Sequence, residues 1–292
     1  MRRHNRNITA IYDKMEFVEL KLDDEEFRKI RDIVYKTTGI RLSENKRALI
    51  VSRLYKRLRE LNISSFDSYI FRLESEPNEV ALFINRITTN LTRFYREENQ
   101  FEVLHKSILP IIEENKKRKG EKTLRIWSAG CSTGEEVYTI LFELVRAYQG
   151  QFPSSLDVKI LGSDIDTDVL KKASSGKYSL EELRGLNQEQ VDEYFDKLPD
   201  SIYSVKDRLR RYVIFKRMNL VYDEFHFKNR IDIIFCRNVV IYFDRETKSK
   251  VYQKFHAVLN NPGFFFSGHS ENLFKYNHLF TFIEKSIYKK VG

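Results

Sequence analysis

The stretch RIWSAGCSTGEEVY, residues 125–138, combines a short apolar run, a turn of small residues and an acidic helix start. Its pattern predicts a strand over 124–128 and a helix over 135–148. Small residues between the two elements let the backbone approach a ligand closely. The turn lacks the Lys-Ser/Thr pair of a Walker motif and is not a clean GxGxxG sequence. Taken alone, it is either an ordinary strand-to-helix turn or one wall of a nucleotide pocket.

Strands and helices alternate after this turn. Apolar runs predict strands at 157–163, 213–218, 231–235 and 263–267, helices at 167–174 and 245–259, and a closing hairpin of 279–283 with 286–291. This alternation predicts an α/β fold with a doubly wound, mostly parallel sheet and helices on both faces. It breaks down between Lys177 and Arg211, over a stretch too long for a simple loop. We interpret residues 178–218, approximately, as a small inserted β subdomain.

Helical patterns dominate the first part of the chain. The run Asp23–Glu26 places acids at a helix start, and apolar residues then recur at helical spacing. Residues 1–20 are expected to form a loosely ordered lead-in. The sequence therefore predicts a small N-terminal helical domain over 1–90, with this lead-in, and a sheet domain over 91–292.

Composition limits the classes of protein that fit. The net charge of +9 favours an acidic partner. That partner could be nucleic acid, an anionic membrane or an acidic protein surface. No run approaches the roughly 18 apolar residues of a membrane span, and no signal peptide is recognisable. Two cysteines make a disulfide framework implausible, so a cytoplasmic protein is expected.

Two further stretches are expected at the same edge of the sheet. In GSDID (162–166), an acid after the second strand can accept both hydroxyls of a ribose; we interpret Asp164 in this way and Asp166 as a helix cap. In DIIFCRNVVIYF (232–243), a buried strand ends at Arg237 and Asn238, and Tyr242 follows. The first and fourth strands of a doubly wound sheet are neighbours, so these residues are expected beside the small-residue turn. Taken alone, Tyr242 is better explained as a half-buried packing residue.

Six motifs together resemble the CheR-type methyltransferases, which methylate chemotaxis receptors. They are TTNLTRFYR (88–96), RIWSAGCSTGEEVY (125–138), GSDID (162–166), MNL (218–220), DIIFCRNVVIYF (232–243) and GHSENL (268–273). Composition alone would equally make the first motif a linker, but the order and spacing of all six are specific. The resemblance implies a class I methyltransferase fold. It also implies S-adenosylmethionine as cofactor, S-adenosylhomocysteine as product, and receptor glutamate side chains as methyl acceptors.

Carried over motif by motif, the resemblance implies roles for single residues. The positions that match cofactor contacts are Asn90, Thr92, Arg96, Glu136, Asp164, Asn219, Leu220, Arg237 and Asn238. Arg96 and Tyr242 match residues near the reacting groups, and Arg96 would orient either the substrate carboxylate or the cofactor's own. The family's receptor-contacting helix matches Arg53, Arg57 and Arg59. In some members the β insert docks a receptor-tail peptide, which makes that peptide a further expected partner.

The implied reaction asks little of acid–base chemistry. A surface glutamate, with a pKa of about 4.3, is already ionised at neutral pH, so no strong general base is needed. The six histidines show no metal-ligand spacing, and no metal is expected. His269 is interpreted as structural.

Two other hypotheses stay open. A nucleic-acid methyltransferase would share the fold and the charge, but the sequence has no Asn-Pro-Pro-Tyr-like segment after the fourth strand and no Pro-Cys nucleophile. A non-catalytic receptor-binding adaptor would not need both Arg96 and Tyr242. The expected partner is the cytoplasmic helical region of a chemotaxis receptor, with no nucleic acid, no membrane insertion and a monomeric enzyme.

Overall fold

A computed structural model describes residues 21–292, and the predicted lead-in over 1–20 lies outside the described residues. The described chain forms two compact units. One contains residues 21–33 and 43–87, and the other contains residues 34–42 and 88–292. Helix α1 runs across this division, because its last residues are counted with the larger unit.

The smaller unit is helical. Its helices are α1 (Asp24–Thr38, in part), α2 (Arg47–Glu60), α3 (Phe66–Ser75) and α4 (Pro77–Ile87), with a 3-10 turn at Glu44–Lys46. Apolar residues at helical spacing are buried on α2, namely Ile50, Leu54 and Leu58. Ser65 caps α3 by accepting a hydrogen bond from the backbone of Ser68.

The larger unit alternates strands and helices. Its helices are α5 (Asn99–Val103), α6 (Leu109–Lys119), α7 (Glu135–Ala147), α8 (Thr167–Ser175), α9 (Gln188–Tyr194), α10 (Asp207–Arg210) and α11 (Arg245–Val258). Its strands are β1 (Thr123–Ala129), β2 (Asp157–Asp164), β3 (Lys177–Ser179), β4 (Phe195–Lys197), β5 (Ile202–Val205), β6 (Val213–Arg217), β7 (Ile231–Cys236), β8 (Leu259–Ser267), β9 (Phe280–Glu284) and β10 (Ile287–Lys290). A π-helical turn at Leu104–Ile108 joins α5 to α6, and 3-10 turns lie at Pro199–Ser201, Val240–Tyr242 and Phe274–Tyr276.

Seven strands form the main sheet in the order β6-β2-β1-β7-β8-β10-β9. Strands β6, β2, β1, β7 and β8 are parallel, and β10 is antiparallel to both β8 and β9. The predicted doubly wound, mostly parallel sheet is therefore confirmed. The neighbouring places predicted for the first strand and for the strand that ends before Arg237 are confirmed as well.

Successive residues of the central strands pack on opposite faces of the sheet. Ile126 and Ile233 belong to one buried cluster, whereas Trp127 and Ile234 belong to the other. This period of two with apolar residues on both sides is typical of a parallel sheet covered by two helical layers. The two layers leave the carboxyl ends of the parallel strands as the edge where polar groups collect.

A second, three-stranded sheet has the order β3-β5-β4, and both pairings are antiparallel. Helix α9, which lies between β3 and β4, begins with a capping box formed by Asn187 and Gln190. This sheet confirms the small β insert predicted from the break in strand–helix alternation. The end of the predicted range of about 178–218 differs, because β6 within it pairs with β2 and belongs to the main sheet.

Candidate active site

The turn after β1 is held against the end of β2. The N–H groups of Gly130 and Cys131 both donate to the carbonyl of Ser163, at 2.8 and 2.9 Å. Gly130 has a φ of +87°, and a Cβ atom there would overlap the side chain of Val239. The turn after β1 therefore lies directly against the loop after β7, as the strand order requires.

Asp164 stands at the end of β2 with its carboxylate turned toward this turn. One oxygen accepts from the Ser132 N–H at 2.9 Å, and the other accepts from the Asp166 N–H at 3.0 Å. Burial raises the pKa of Asp164, and these backbone hydrogen bonds oppose the rise. A carboxylate offers about four acceptor sites, so each oxygen keeps one for a further donor. These two free acceptor sites fit the two hydroxyl donors of a ribose.

Asn90 and Asp166 form a second set of contacts beside the same turn. One oxygen of Asp166 caps α8 through the N–H groups of Asp168 and Val169. The other oxygen accepts from the Asn90 side chain at 2.7 Å and from the Thr88 hydroxyl at 3.0 Å. The predicted cap is thus present, and it also holds the segment over 88–90.

Ser132 completes that contact by donating from its hydroxyl to the Asn90 carbonyl at 2.9 Å. The Asn90 backbone carbonyl is thus held by Ser132, and its side-chain amide by Asp166. Thr92, two residues further along, is half-buried. The segment over 88–92 lies beside the turn after β1, but the Asn90 side chain is hydrogen-bonded to Asp166.

Glu136 and Arg237 form a buried ion pair across the edge of the sheet. The Glu136 carboxylate accepts from the Ser128 hydroxyl at 2.6 Å and lies 3.2 Å from Nη1 of Arg237. Burial raises the pKa of Glu136, and the charge of Arg237 opposes the rise. Two residues predicted from separate motifs are thereby in direct contact.

The second amino group of Arg237 reaches the segment that carries Arg96. Its Nη2 lies 3.3 Å from the carboxylate of Glu97, and it also donates to the Arg96 carbonyl. The Arg96 side chain itself is half-buried and donates to the Leu91 carbonyl at 2.8 Å. Arg237 therefore bridges the Glu136 region and the backbone of the predicted catalytic arginine.

Tyr242 lies on the 3-10 turn that follows β7. Its carbonyl accepts from the Arg41 N–H at 2.9 Å, and Phe243 forms an isolated antiparallel bridge with Ile40. The side chain is half-buried, and its hydroxyl has no hydrogen-bond partner within residues 21–292. The backbone is fixed while the hydroxyl remains available to a ligand.

Asn238 adopts a left-handed conformation with φ +59°. Its side-chain oxygen is buried and unpaired within the described chain, which is unusual for a polar atom. An orphaned acceptor at the mouth of this loop fits a ligand that supplies a donor. The cofactor contact predicted for Asn238 stays a prediction.

Asn219 and Leu220 are positioned differently. The Asn219 amide donates to the Thr37 carbonyl at 2.7 Å, and its oxygen accepts from the Val221 N–H at 3.0 Å. Leu220 is buried in an apolar cluster. They follow β6, whose next residue, Met218, donates to the Asp164 carbonyl at 2.9 Å. The backbone here lies near Asp164, whereas the Asn219 side chain serves the fold.

The predicted receptor-contacting arginines on α2 divide into two kinds. Arg57 makes a bidentate pair with Glu79, at 2.9 and 2.6 Å, and Glu79 also accepts from the buried hydroxyl of Tyr69. Arg53 donates to the Ile87 carbonyl at 2.6 Å. Arg59 is exposed and lies over the ring of Tyr55 at 5.8 Å.

Several contacts at this edge were not predicted from the sequence. Glu97 forms an ion pair with Arg237 and also accepts a hydrogen bond from the backbone N–H of His269, an exposed residue. Glu271 binds backbone groups of the loop after β7. Both acids lie in or beside quoted motifs, but nothing in their spacing marks them as buried acceptors.

Residues 21–292 contain neither a cluster of potential metal ligands nor a helix suited to a membrane. No group of three or more His, Cys, Asp or Glu residues in this range is arranged to hold a metal ion. No helix in the same range is both long and apolar enough to span a membrane.

A glycine-containing turn, an acid after the second parallel strand and an orphaned acceptor after the fourth define a protein that binds a nucleoside-containing cofactor. The family model described as CheR methyltransferase, SAM binding domain, matches residues 90–289, and that of the CheR all-alpha domain matches residues 25–88. The chain belongs to the CheR methyltransferase family. It is an S-adenosylmethionine-dependent methyltransferase, and the resemblance of the six motifs is confirmed.

Relatives cover almost the whole chain. Chemotaxis protein methyltransferase 2 of Pseudomonas aeruginosa is 40% identical over 90% of this chain and 92% of its own length. The chemotaxis protein methyltransferase of Salmonella typhimurium is 39% identical over 92% of this chain and 91% of its own. That of Borreliella burgdorferi is 36% identical over 94% and 96%.

Proposed function

We propose that the protein transfers a methyl group to glutamate side chains of chemotaxis receptors and so forms glutamyl methyl esters. The observation that carries the proposal is the Arg237 bridge, which joins Glu136 to the segment bearing Arg96 at the edge where Asp164 and Tyr242 also lie. Relatives named chemotaxis protein methyltransferase at 36–40% identity support a methyltransferase that acts in chemotaxis.

Each pocket residue has a separate task in this proposal. Asp164 accepts the ribose hydroxyls, and the unpaired oxygen of Asn238 accepts a further donor from the cofactor. Glu136, held by Arg237, adds negative charge at the same edge. S-adenosylmethionine, when bound, supplies a methyl group made electrophilic by its sulfonium. Asn90, Thr92, Asn219 and Leu220 are proposed to shape the pocket mainly through the backbone that they position.

The chain's contribution to the chemical step is orientation. The substrate carboxylate is ionised at neutral pH, so no proton has to be removed before it attacks. Arg96 is proposed to orient a carboxylate through its guanidinium, and Tyr242 to donate a hydrogen bond from its unpartnered hydroxyl. Holding the reacting groups in line lowers the entropy cost of reaching the transition state of such a displacement.

The domain division supports a separate place for receptor docking. We propose a domain boundary at residue 90, which is supported by one family model ending at residue 88 and the other beginning at residue 90. The exposed Lys56 and Arg59 would meet an acidic receptor helix, and the β insert over 178–218, approximately, would hold a receptor-tail peptide. A cytoplasmic monomer that acts on the cytoplasmic part of its receptor fits this proposal.

The test is transfer of radiolabelled methyl from S-adenosylmethionine to a chemoreceptor cytoplasmic fragment, followed by mild alkali. Label on the receptor that leaves as methanol identifies a glutamyl ester. Tyr242→Phe should slow transfer while cofactor binding persists, whereas Asp164→Asn should weaken binding itself.

Other outcomes would redirect the assignment. Label on nucleic acid instead of receptor would favour the nucleic-acid methyltransferase hypothesis. Receptor binding without label, together with no heat of cofactor binding in calorimetry, would favour the adaptor hypothesis. Loss of receptor labelling with intact cofactor binding would remove that receptor from the proposal.

A further inference from the structure

Glu271 is a buried carboxylate that binds only backbone of the catalytic edge. Its Oε2 accepts from the N–H groups of Asn238 at 3.0 Å and Gly268 at 2.6 Å, and its Oε1 accepts from the Val239 N–H at 3.0 Å. The residue is 5% exposed. One side chain therefore clamps two loops, those after β7 and β8.

The carboxylate makes no ion pair with any residue from 21 to 292. Burial raises the pKa of Glu271, and hydrogen bonds from the backbone of Gly268, Asn238, Val239 and Ile241 oppose the rise. A buried, uncompensated carboxylate is costly to a fold. The Glu271 carboxylate is bound by N–H groups that converge from two loops. We explain its burial by the conformation that these hydrogen bonds give to the loops.

That geometry extends to both walls of the pocket. Asn238 has a φ of +59° and an unpaired buried oxygen, so its side-chain direction depends on how its backbone is held. Val239 fills the space over Gly130 in the turn after β1. Tyr242 lies on the 3-10 turn that begins directly after Val239. A shift of the Glu271 carboxylate would therefore change the positions of Asn238, Val239 and Tyr242.

We propose that Glu271 is a positioning residue for methyl transfer, which fixes the loop over 237–242 so that Asn238 and Tyr242 face the pocket. The inference rests on the proposed function, because it takes Tyr242 as the group that meets the substrate. Glu271 itself touches neither substrate nor cofactor in this proposal.

The first test is kinetic and uses Glu271→Gln, which keeps the shape but turns part of the acceptor into a donor. A misplacement of about 1 Å costs up to about a hundredfold in rate, so kcat should fall by about tenfold to a hundredfold, with a smaller change in KM for the receptor. Asp232→Asn is the control for the loss of a buried carboxylate that accepts from backbone N–H, and it lies at the opposite end of β7. Because Asp232 also pairs with Lys116 at 2.8 Å, the two variants are compared at equal folded fraction.

The second test asks whether the effect passes through Tyr242. In a Tyr242→Phe background, Glu271→Gln should lower kcat by much less than it does alone, because residues that act as a unit are not additive. Independent, multiplicative effects would overturn the proposal. So would a loss of kcat no larger than that of Asp232→Asn at equal folded fraction.

A third measurement needs no substrate. Amide hydrogen exchange at Asn238 and Val239 should speed up in Glu271→Gln and keep its native rate in Asp232→Asn. If the wild type labels no receptor, the proposed function fails while this exchange result still decides whether Glu271 holds the loop. Unchanged protection would overturn the clamp. Glu271→Asp, which keeps the charge on a shorter side chain, should restore part of both readouts and covers the case in which the Gln variant does not fold.

Discussion

Nη1 of Arg237 lies 3.2 Å from the carboxylate of Glu136, and the Arg237 side chain is only 2% exposed. The pair joins the end of β7 to the start of α7. A third group, Glu97, lies on the other arm of the guanidinium. Arginine suits this place because its planar fork contacts two acids in fixed directions. Glu136 and Glu97 are therefore held by one buried cation.

Arg237→Ala should destabilise the protein by about 3 kcal/mol or more, because it leaves buried acids without their cation. Urea unfolding would measure this loss. Adding Glu136→Gln to the same chain should restore part of the stability by removing one of the unpaired charges. Equal stabilities for the single and double variants would contradict the pairing.

Cofactor affinity should weaken on acidification before an ordinary aspartate would titrate. Burial raises the pKa of Asp164 above its usual value of about 3.9, so falling pH protonates this acceptor early and removes hydrogen bonds from the ligand. Calorimetry with S-adenosylhomocysteine between neutral and mildly acidic pH would measure it, with circular dichroism to confirm folding. Asp164→Asn should bind more weakly at neutral pH and lose most of the pH dependence, with the remainder coming from Glu136. If the affinity of the wild type stayed unchanged down to about pH 4, the result would be incompatible with this assignment.

Arg59 and Arg57 should respond differently to removal, although both are predicted receptor contacts on one helix. Arg59→Ala should weaken receptor binding in a salt-dependent way and leave thermal stability almost unchanged, because the side chain is exposed. Arg57→Ala should cost about 3 kcal/mol of stability, because Glu79 is 3% exposed and loses its bidentate partner. Receptor affinity across salt concentrations, measured beside melting curves, separates the two. A stability loss in Arg59→Ala equal to that in Arg57→Ala would refute the division.

Gly130→Ala should destabilise the chain more than Gly120→Ala. Both glycines have positive φ, +87° and +67°, so each variant carries a backbone strain of about 1 to 3 kcal/mol. Only at Gly130 would the added methyl also meet a neighbour, the side chain of Val239, whereas nothing lies within 4 Å at Gly120. Denaturant titration of both variants checks the difference. Val239→Ala should relieve part of the loss in Gly130→Ala, and no relief would show that the clash is not its cause.

The fold could be predicted because its signals are local and repeated. Apolar runs marked β1, β2 and β7, and the helix over 245–258 carried its own start and spacing. The π-helical turn between α5 and α6 could not be predicted, because such turns are rare and occur as single turns within α-helices, too short to set a period of their own. The insert was recognised only as a break in the pattern, since its strands have three or four residues.

For the candidate site, the sequence predicts which backbone segments come together, but not which way their side chains point. Strand ends place Asp164, Arg237 and Asn238 at one edge, so their proximity follows from topology. The direction of a side chain depends on its neighbours in space. Asn219 turns toward Thr37, and Arg57 turns toward Glu79, although neither partner is close in sequence. The role of Glu271 could not be predicted either, because its partners are backbone N–H groups, which no residue type in the sequence marks.

The two oxygens of Asp166 serve two different parts of the chain. One begins α8, and the other holds Thr88 and Asn90, whose carbonyl in turn receives the Ser132 hydroxyl. The start of the helix and the segment opposite it therefore cannot be lengthened or shifted independently. An insertion of even one residue between β2 and α8 would move the anchor of a distant stretch of chain. This short connection should be among the places in the protein least tolerant of insertions and deletions.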